Sequence, residues 1–295
     1  MLRTFYVIIF FAIVVSAFLS CNRAIEQASY VHIAPFTFTQ TPNTGAVSTD
    51  ITNGQVFIDG VFVGDYEFPV TFPVLKQGSF RINVLPSVKI NGVGNGRKVF
   101  KLYQSYSTQV SLIAGKVDSI KPNTSYKNNV VFAWLEDFDN NTIGLKRGAN
   151  NNLRDSLVNI GVNDNNAWKG SGLGYSAGLF FSLNTRAFIW EANSVSRFMV
   201  PKRGSDIYFE LDLKSDVNIK IGILAFDGLT YTQTEVVEFF STDGKWKKLY
   251  CNLVAEVGPL RENQEIGIFI GGINSKENAD TPMIFIDNLK LAYLQ

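Results

Sequence analysis

The chain carries a single histidine, His32, so any serine or cysteine nucleophile activated by imidazole would have to be assembled around that one ring. No Gly-x-Ser-x-Gly segment accompanies it, and a histidine inside an alternating strand reads as structural. Zinc sites, which draw on His and Cys, meet the same scarcity. Cys251 lies in the alternating stretch that starts at Trp246, where a thiol behaves as a small buried hydrophobe and not as a nucleophile. Glycoside hydrolysis needs only two carboxylates, and with 26 Asp and Glu that class is not excluded by counting. Glu191 beside Trp190 is the candidate acid, yet nothing in the sequence pairs it with a second carboxylate. Gly92-Val-Gly94-Asn-Gly96 and Gly170-Ser-Gly172-Leu-Gly174 are glycine-rich, but neither leads into a helix, so both read as loops and not as phosphate cradles.

Non-covalent recognition has better material. A pyranose offers an apolar C–H face that stacks on an aromatic ring, and hydroxyls that demand hydrogen-bond partners. Trp168 sits in Asn163-Asp-Asn-Asn-Ala-Trp-Lys-Gly-Ser-Gly172, a loop with donors and acceptors beside an indole. Trp168 with Asn166 is therefore the leading ligand-binding candidate, and Tyr175 and Tyr231 are further ones. The alternative for Trp168 is packing over the end of a sandwich. Trp190 and Trp246 lie in, or at the start of, apolar-alternating strands and are read as core.

The elements that must position these groups are almost entirely strands. Apolar residues make up 46% of 295, with 24 Phe, 11 Tyr and 24 Gly, while charge is only 18%; this is the profile of aromatic strands joined by tight turns. A net charge of +1 without clustered Lys and Arg argues against nucleic acid as a partner. The N-terminus is different in kind. Arg3, an apolar run from Phe5 to Val15 and a small-residue stretch before Cys21 have the order of a signal peptide, residues 1–20, and the run is too short to span a bilayer. Phe18-Leu-Ser-Cys21 resembles the lipobox of bacterial lipoproteins. That resemblance implies cleavage before Cys21, a diacylglycerol on its sulfur, and a mature chain tethered to the membrane through residues 21–29. With Cys21 acylated, Cys251 is the only thiol left, and no intrachain disulfide can form.

From residue 30 onward the sequence alternates with period 2 between Gly, Asn, Asp and Pro clusters. Tyr30–Thr39 reads as a first strand, and Thr41–Gly54 as a polar loop. Val56-Phe-Ile-Asp-Gly-Val-Phe-Val reads as a hairpin with a type I′ turn at Asp59-Gly60. Residues 55–86 follow the order of strand, Asp-Gly hairpin, Gly, Pro and Gly-plus-strand, and resemble a PEGA-type β module; the unit is expected over 30–126. The polar, proline-containing stretch from Lys121 marks a junction near 121–130. The unit 131–295 opens with Phe132-Ala-Trp-Leu-Glu-Asp-Phe, includes Asp243-Gly-Lys-Trp-Lys-Lys-Leu-Tyr, and closes with Phe285-Ile-Asp-Asn-Leu-Lys-Leu. It resembles a jelly-roll domain of the carbohydrate-binding-module or galactose-binding-like type. The fold class is thus all-β, two antiparallel β-sandwich domains after a cleaved signal peptide.

The jelly-roll resemblance implies a structural calcium where the first and last strands lie side by side, with Glu136, Asp287 and Asp137 as its ligands, Asp139 or carbonyls near Gly144 completing the shell. Solvated acids capping turns are the alternative. Taken whole, the sequence resembles uncharacterised envelope lipoproteins of Bacteroidota: a non-enzymatic, outer-membrane, lipid-anchored protein that binds glycan through its second domain. A structural accessory docked on an outer-membrane protein complex is the second reading, and a glycoside hydrolase the third. Asn22–Gln27 lacks the acidic cluster that resembles a surface-export signal in this phylum, which tilts the address to the periplasmic face.

Overall fold

The computed structural model describes residues 27–92, 96–140, 142–149, 157–170, 175–180, 188–274 and 283–295. The leader and Cys21 lie outside the described residues. Within these bounds the chain is nearly all β, with one helical turn, α1 (Val254–Val257).

The N-terminal block packs two sheets. One runs β5 (Val70–Val74), β1 (Ser29–Ile33), β9 (Val117–Ile120); the other runs β4 (Val61–Glu67), β3 (Asn53–Ile58), β6 (Gly78–Val88). Strand β6 is long enough to take two partners on its second edge: β8 (Tyr106–Leu112) along its first half and β7 (Lys98–Val99) at its end. Alternation puts Val31, Ile33, Val56, Ile58, Ile82 and Val84 between the sheets, all fully or almost fully buried. The turn at Asp59-Gly60 has positive φ at both positions, 50° and 78°, as a type I′ hairpin requires. The segment read as one first strand is broken at Pro35, which cannot donate to a ladder. Its continuation, β2 (Thr37–Phe38), pairs in parallel with β10 (Asn123–Thr124).

The C-terminal block is a sandwich of two larger antiparallel sheets. One runs β13 (Val158–Ile160), β14 (Ser176–Phe180), β21 (Met283–Leu294), β16 (Ile207–Ser215), β19 (Lys247–Asn252), with β11 (Val130–Glu136) on the remaining half of β21. The other runs β12 (Leu145–Arg147), β15 (Phe188–Ser194), β20 (Ile266–Asn274), β17 (Ile219–Phe226), β18 (Tyr231–Phe239). First and last strands are neighbours, Glu136 lying opposite Leu289. Leu211, Leu213, Ile221, Ile268 and Trp190 fill the space between the sheets.

The two blocks share a third core. Phe100, Tyr103 and Tyr126 from the first pack edge-to-face among themselves, and Phe100 does the same with Tyr208 and Tyr250 of the second. Residues 121–130, read as the junction between the units, hold β10 and the buried ring of Tyr126. The polar segment after Thr41 is likewise no free loop. The carbonyls of Thr44 and Ala46 accept bonds from the buried Lys290 Nζ at 2.7 and 2.8 Å, and Ser48 donates to Asp212 at 2.5 Å.

Candidate functional site

A cleft of about 510 Å³ opens where the second block meets this strap. Its walls carry two tryptophans, Trp168 and Trp246, with Phe239 and Phe240 near them. Polar lining comes from Ser48, Asp50, Lys89, Thr242 and Lys247.

Each tryptophan is fixed by identifiable bonds. The Trp168 amide donates to Ser176 Oγ at 3.0 Å, and that hydroxyl donates to Asp287 Oδ2 at 2.6 Å. Gly170 lies against the indole: a Cβ there would come within 1.6 Å of Trp168 Cη2. The Trp246 indole N–H donates to the Asn166 carbonyl at 3.1 Å, while Asn166 Oδ1 accepts from Lys214 Nζ at 2.8 Å. Asn166 therefore ties the Trp168 loop to Trp246 and to β16. Lys169 Nζ closes the same loop onto the carbonyls of Val162 and Asp164. Both tryptophans are half-buried; Trp246 is bonded through its indole N–H and Trp168 through its backbone amide.

Burial dominates the electrostatics beneath. Asp287, 2% exposed, has its carboxyl pushed up to about 8, chiefly by desolvation and then by the Asp212 and Asp139 carboxylates, against the Ser176 and Asn288 bonds that favour its anion. Asp50 in the cleft wall is also raised by burial, with Arg97 and Lys89 pulling the other way.

The sequence-predicted residues are thus partly gathered and partly scattered. Trp168 stands at the cleft, while Asn166 is outside the lining and acts from behind it through its bonds to Trp246 and Lys214. Trp246, read as core, packs half-buried against the cluster of Ile160, Ala167 and Phe285 and also lines the cleft just before β19. Tyr175 is outside the lining, its ring half-buried against the sandwich core and its amide bonded to Asp139. Tyr231 is on β18, part of the opposite sheet, where its ring leans on Phe226. Trp190 is core as expected, at 2% exposure. Phe240, Ser48, Asp50 and Lys89 were not singled out: the last three come from the first block, and no local pattern could announce that they approach Trp168.

The acidic residues assigned to calcium do not fit a cage of six to eight oxygens. Both Glu136 oxygens accept backbone N–H groups, from Phe138 at 3.0 Å and Gly144 at 2.7 Å, and Phe138 is held at a φ of 58° to make that turn. Burial raises the Glu136 carboxyl above its ordinary range while these two N–H groups oppose the shift. Asp287 is engaged by Ser176 and Asn288, and Asp137 accepts the Asp139 amide. Among the described residues no three His, Cys, Asp or Glu side chains converge as metal ligands would.

The groups weighed for catalysis lie apart from the cleft. His32 Nδ1 is 2.8 Å from Thr71 Oγ1 on the β1–β5 pair. Glu191 is buried on β15 with Oε2 accepting from Gln233 at 2.9 Å. Cys251 is a fully buried free thiol whose pKa burial drives upward.

No family model matches the chain, and no curated protein matches it. Solved structures that resemble it include carbohydrate-binding modules and the enzymatically active domain of a bacteriophage CBA120 tailspike protein. TmCBM61, solved in complex with β-1,4-galactotriose, is 14% identical over 54% of this chain and 95% of its own, with a TM-score of 0.35. A module from a study of promiscuous specificity in the β-sandwich superfamily is 14% identical over 91% and 98%, with a TM-score of 0.42. The family 11 module of Clostridium thermocellum, solved with a β-1,3-1,4-mixed-linked tetrasaccharide, is 13% identical over 55% and 95%, with a TM-score of 0.37. These are partial likenesses of one β-sandwich to another.

Proposed function

We propose that the mature chain is a lipoprotein of the bacterial envelope, tethered through acylated Cys21, and that it binds a saccharide without catalysis in the cleft between Trp168 and Trp246. The observation that carries this reading is the pairing of two half-buried indoles in one cavity with hydroxyl, carboxylate and ammonium side chains. An indole face takes the C–H surface of a pyranose, and the surrounding polar groups take its hydroxyls. The volume suits a few sugar rings and not a long buried chain. In this reading the PEGA-like block 30–126 is both spacer and second wall, and 131–295 is the binding domain. The outer membrane, on its periplasmic face, is the proposed address.

A glycan array probed with the mature chain tests the reading, followed by calorimetry on the best ligand. Its probes include β-1,4-galactotriose and a β-1,3-1,4-mixed-linked tetrasaccharide. Trp168→Ala and Trp246→Ala are each expected to weaken the Kd more than about tenfold, or 1.4 kcal/mol. Binding that survives both substitutions unchanged would move the site elsewhere, and absence of binding to every glycan would remove the proposal.

A further inference from the structure

One end of the N-terminal block gathers exposed apolar side chains at the point where the described chain begins. The β5–β6 turn carries Leu75, 70% exposed, and the β8–β9 turn carries Ile113, 49% exposed. The β3–β4 hairpin adds Val61 and Phe62, also exposed, at the same end: Ile58 pairs with Ile82 near the start of β6, and Gly78, the first residue of β6, pairs with Leu112. Both larger turns are bonded to the first described residues. Gly115 N donates to Ala28 O at 2.9 Å, and Ser29 Oγ to Lys76 O at 2.9 Å. Beside the apolar tips stand Lys76 and Lys116, both exposed.

The other end of this block is occupied. There Ile90 bridges to Tyr250, and the shared aromatic core begins. The block is therefore a pillar with the second sandwich on one end and bare hydrophobes on the other.

We propose that this bare end is the surface that lies on the lipid bilayer, with Leu75, Ile113, Val61 and Phe62 entering the headgroup region and Lys76 and Lys116 meeting lipid phosphates. The inference rests on the proposed acylation of Cys21. Five residues separate Cys21 from Gln27, a span of at most about 22 Å, so an acylated sulfur holds this end against the membrane. Apolar tips flanked by lysines suit that position: the former dip about 5–10 Å into the headgroup and acyl boundary, while the latter reach anionic headgroups. Two apolar side chains elsewhere are more exposed: Phe240, 80% exposed at the tryptophan cleft, and Leu229, fully exposed in the turn between β17 and β18. Leu229 sits at the far end of β18 from Phe239, whose ring lies by Gly92 of the first block. In this orientation the tryptophan cleft is lifted off the membrane by the length of the pillar.

The full chain, acylated in cells, would be placed on phosphatidylethanolamine–phosphatidylglycerol vesicles containing lipids brominated in the acyl chain. Leu75→Cys, Ile113→Cys and Leu229→Cys would each carry an NBD label. Cys251 is fully buried, so the introduced thiol is the accessible one. The expected result is a blue shift and loss of emission to bromine at positions 75 and 113, with neither at 229. Vesicles that float with the protein while the probes at 75 and 113 read water would overturn the orientation alone. Quenching at 229 in their place would show that the opposite end lies on the bilayer. Protein that fails to float with the vesicles would remove the anchoring reading and the orientation together.

Discussion

Gly170 is where one side chain's position depends on the absence of another. A methyl group at 170 would occupy the volume of the Trp168 indole, so Gly170→Ala must push the ring out of its place. The loop around it is polar and half-exposed, which leaves little packing to lose. The expected outcome is a loss of saccharide affinity comparable to Trp168→Ala, with Tm nearly unchanged; equal affinity for the variant would show that the indole's position is irrelevant. The chain of bonds from the Trp168 amide through Ser176 to Asp287 adds a pH dependence. Asp287 binds its proton more tightly folded than unfolded, its carboxyl rising from 3.8 to about 8. Its contribution to stability is thus fully present below about pH 4 and is lost as pH rises through about 8. Lys290, lowered to about 8 by burial and then by Lys248, has the opposite sense: its contribution is present above 10.5 and lost as pH falls through about 8. Urea midpoints are therefore expected to fall between pH 5 and pH 8, and Asp287→Asn, which keeps an acceptor for Ser176, should flatten that fall. An unchanged slope in the variant would assign the titration to another group.

At the scale of elements, the parts legible in the sequence are those that depend on neighbours in sequence. Alternation marked the strands, and the Asp59-Gly60 pair marked a turn, with positive φ at both residues; Asp243-Gly244, read only as the start of a strand motif, takes the same conformation. Alternation states which side chains share a face but not what covers that face. Trp246, read as core, does pack on Ile160, Ala167 and Phe285, but alternation could not show that it also lines a cleft. The segment after Thr41 is polar because its carbonyls and hydroxyls serve the buried groups of β16 and β21, a use visible only once the two blocks meet. Irregular spots were equally hidden. Strand β17 shifts register between Ile221 and Gly222, and a Cβ at Gly222 would press on the Thr234 carbonyl and the Phe269 ring. Gly222→Ala should cost about 1–3 kcal/mol by overpacking, read as a lower urea midpoint at unchanged m-value. For the Glu136 turn, whose oxygens are already met by two N–H groups, chelation with EDTA is expected to leave Tm where it was; a fall on chelation that calcium reverses would show a metal seated there.

The whole molecule is held together by a charge cluster that neither block could bury alone. Glu210, fully buried on β16, accepts the Tyr126 hydroxyl from the first block at 2.9 and 3.0 Å and faces Lys248 Nζ at 3.4 Å. Lys290 lies on the adjacent strand β21, directly opposite Glu210 in register, and is satisfied by carbonyls of the strap. Taking charges out of water is costly, so such a cluster holds only while its members are paired and roofed over. The roof is the aromatic layer of Tyr103, Tyr126 and Phe100, whose edge-to-face contacts each add about 0.5–1.5 kcal/mol beyond area burial. Separating the blocks would therefore expose rings and strand ammonium groups from their partners at once, and the two blocks should unfold in one cooperative transition despite their separate cores. Glu210→Gln tests this arrangement. It leaves Lys248 buried without its counter-charge, a loss of about 3–5 kcal/mol, and weakens the hydrogen bond that Tyr126 brings from the other block. The expected readout is a lower Tm with the single calorimetric transition splitting in two as the blocks uncouple. Adding Lys248→Met, which removes the stranded charge but keeps the packing volume, should restore part of the Tm, because the penalty arises from the unpaired ammonium and not from the shape of the interface. A double variant no more stable than Glu210→Gln alone would place the coupling in the aromatic layer instead of the charges beneath it.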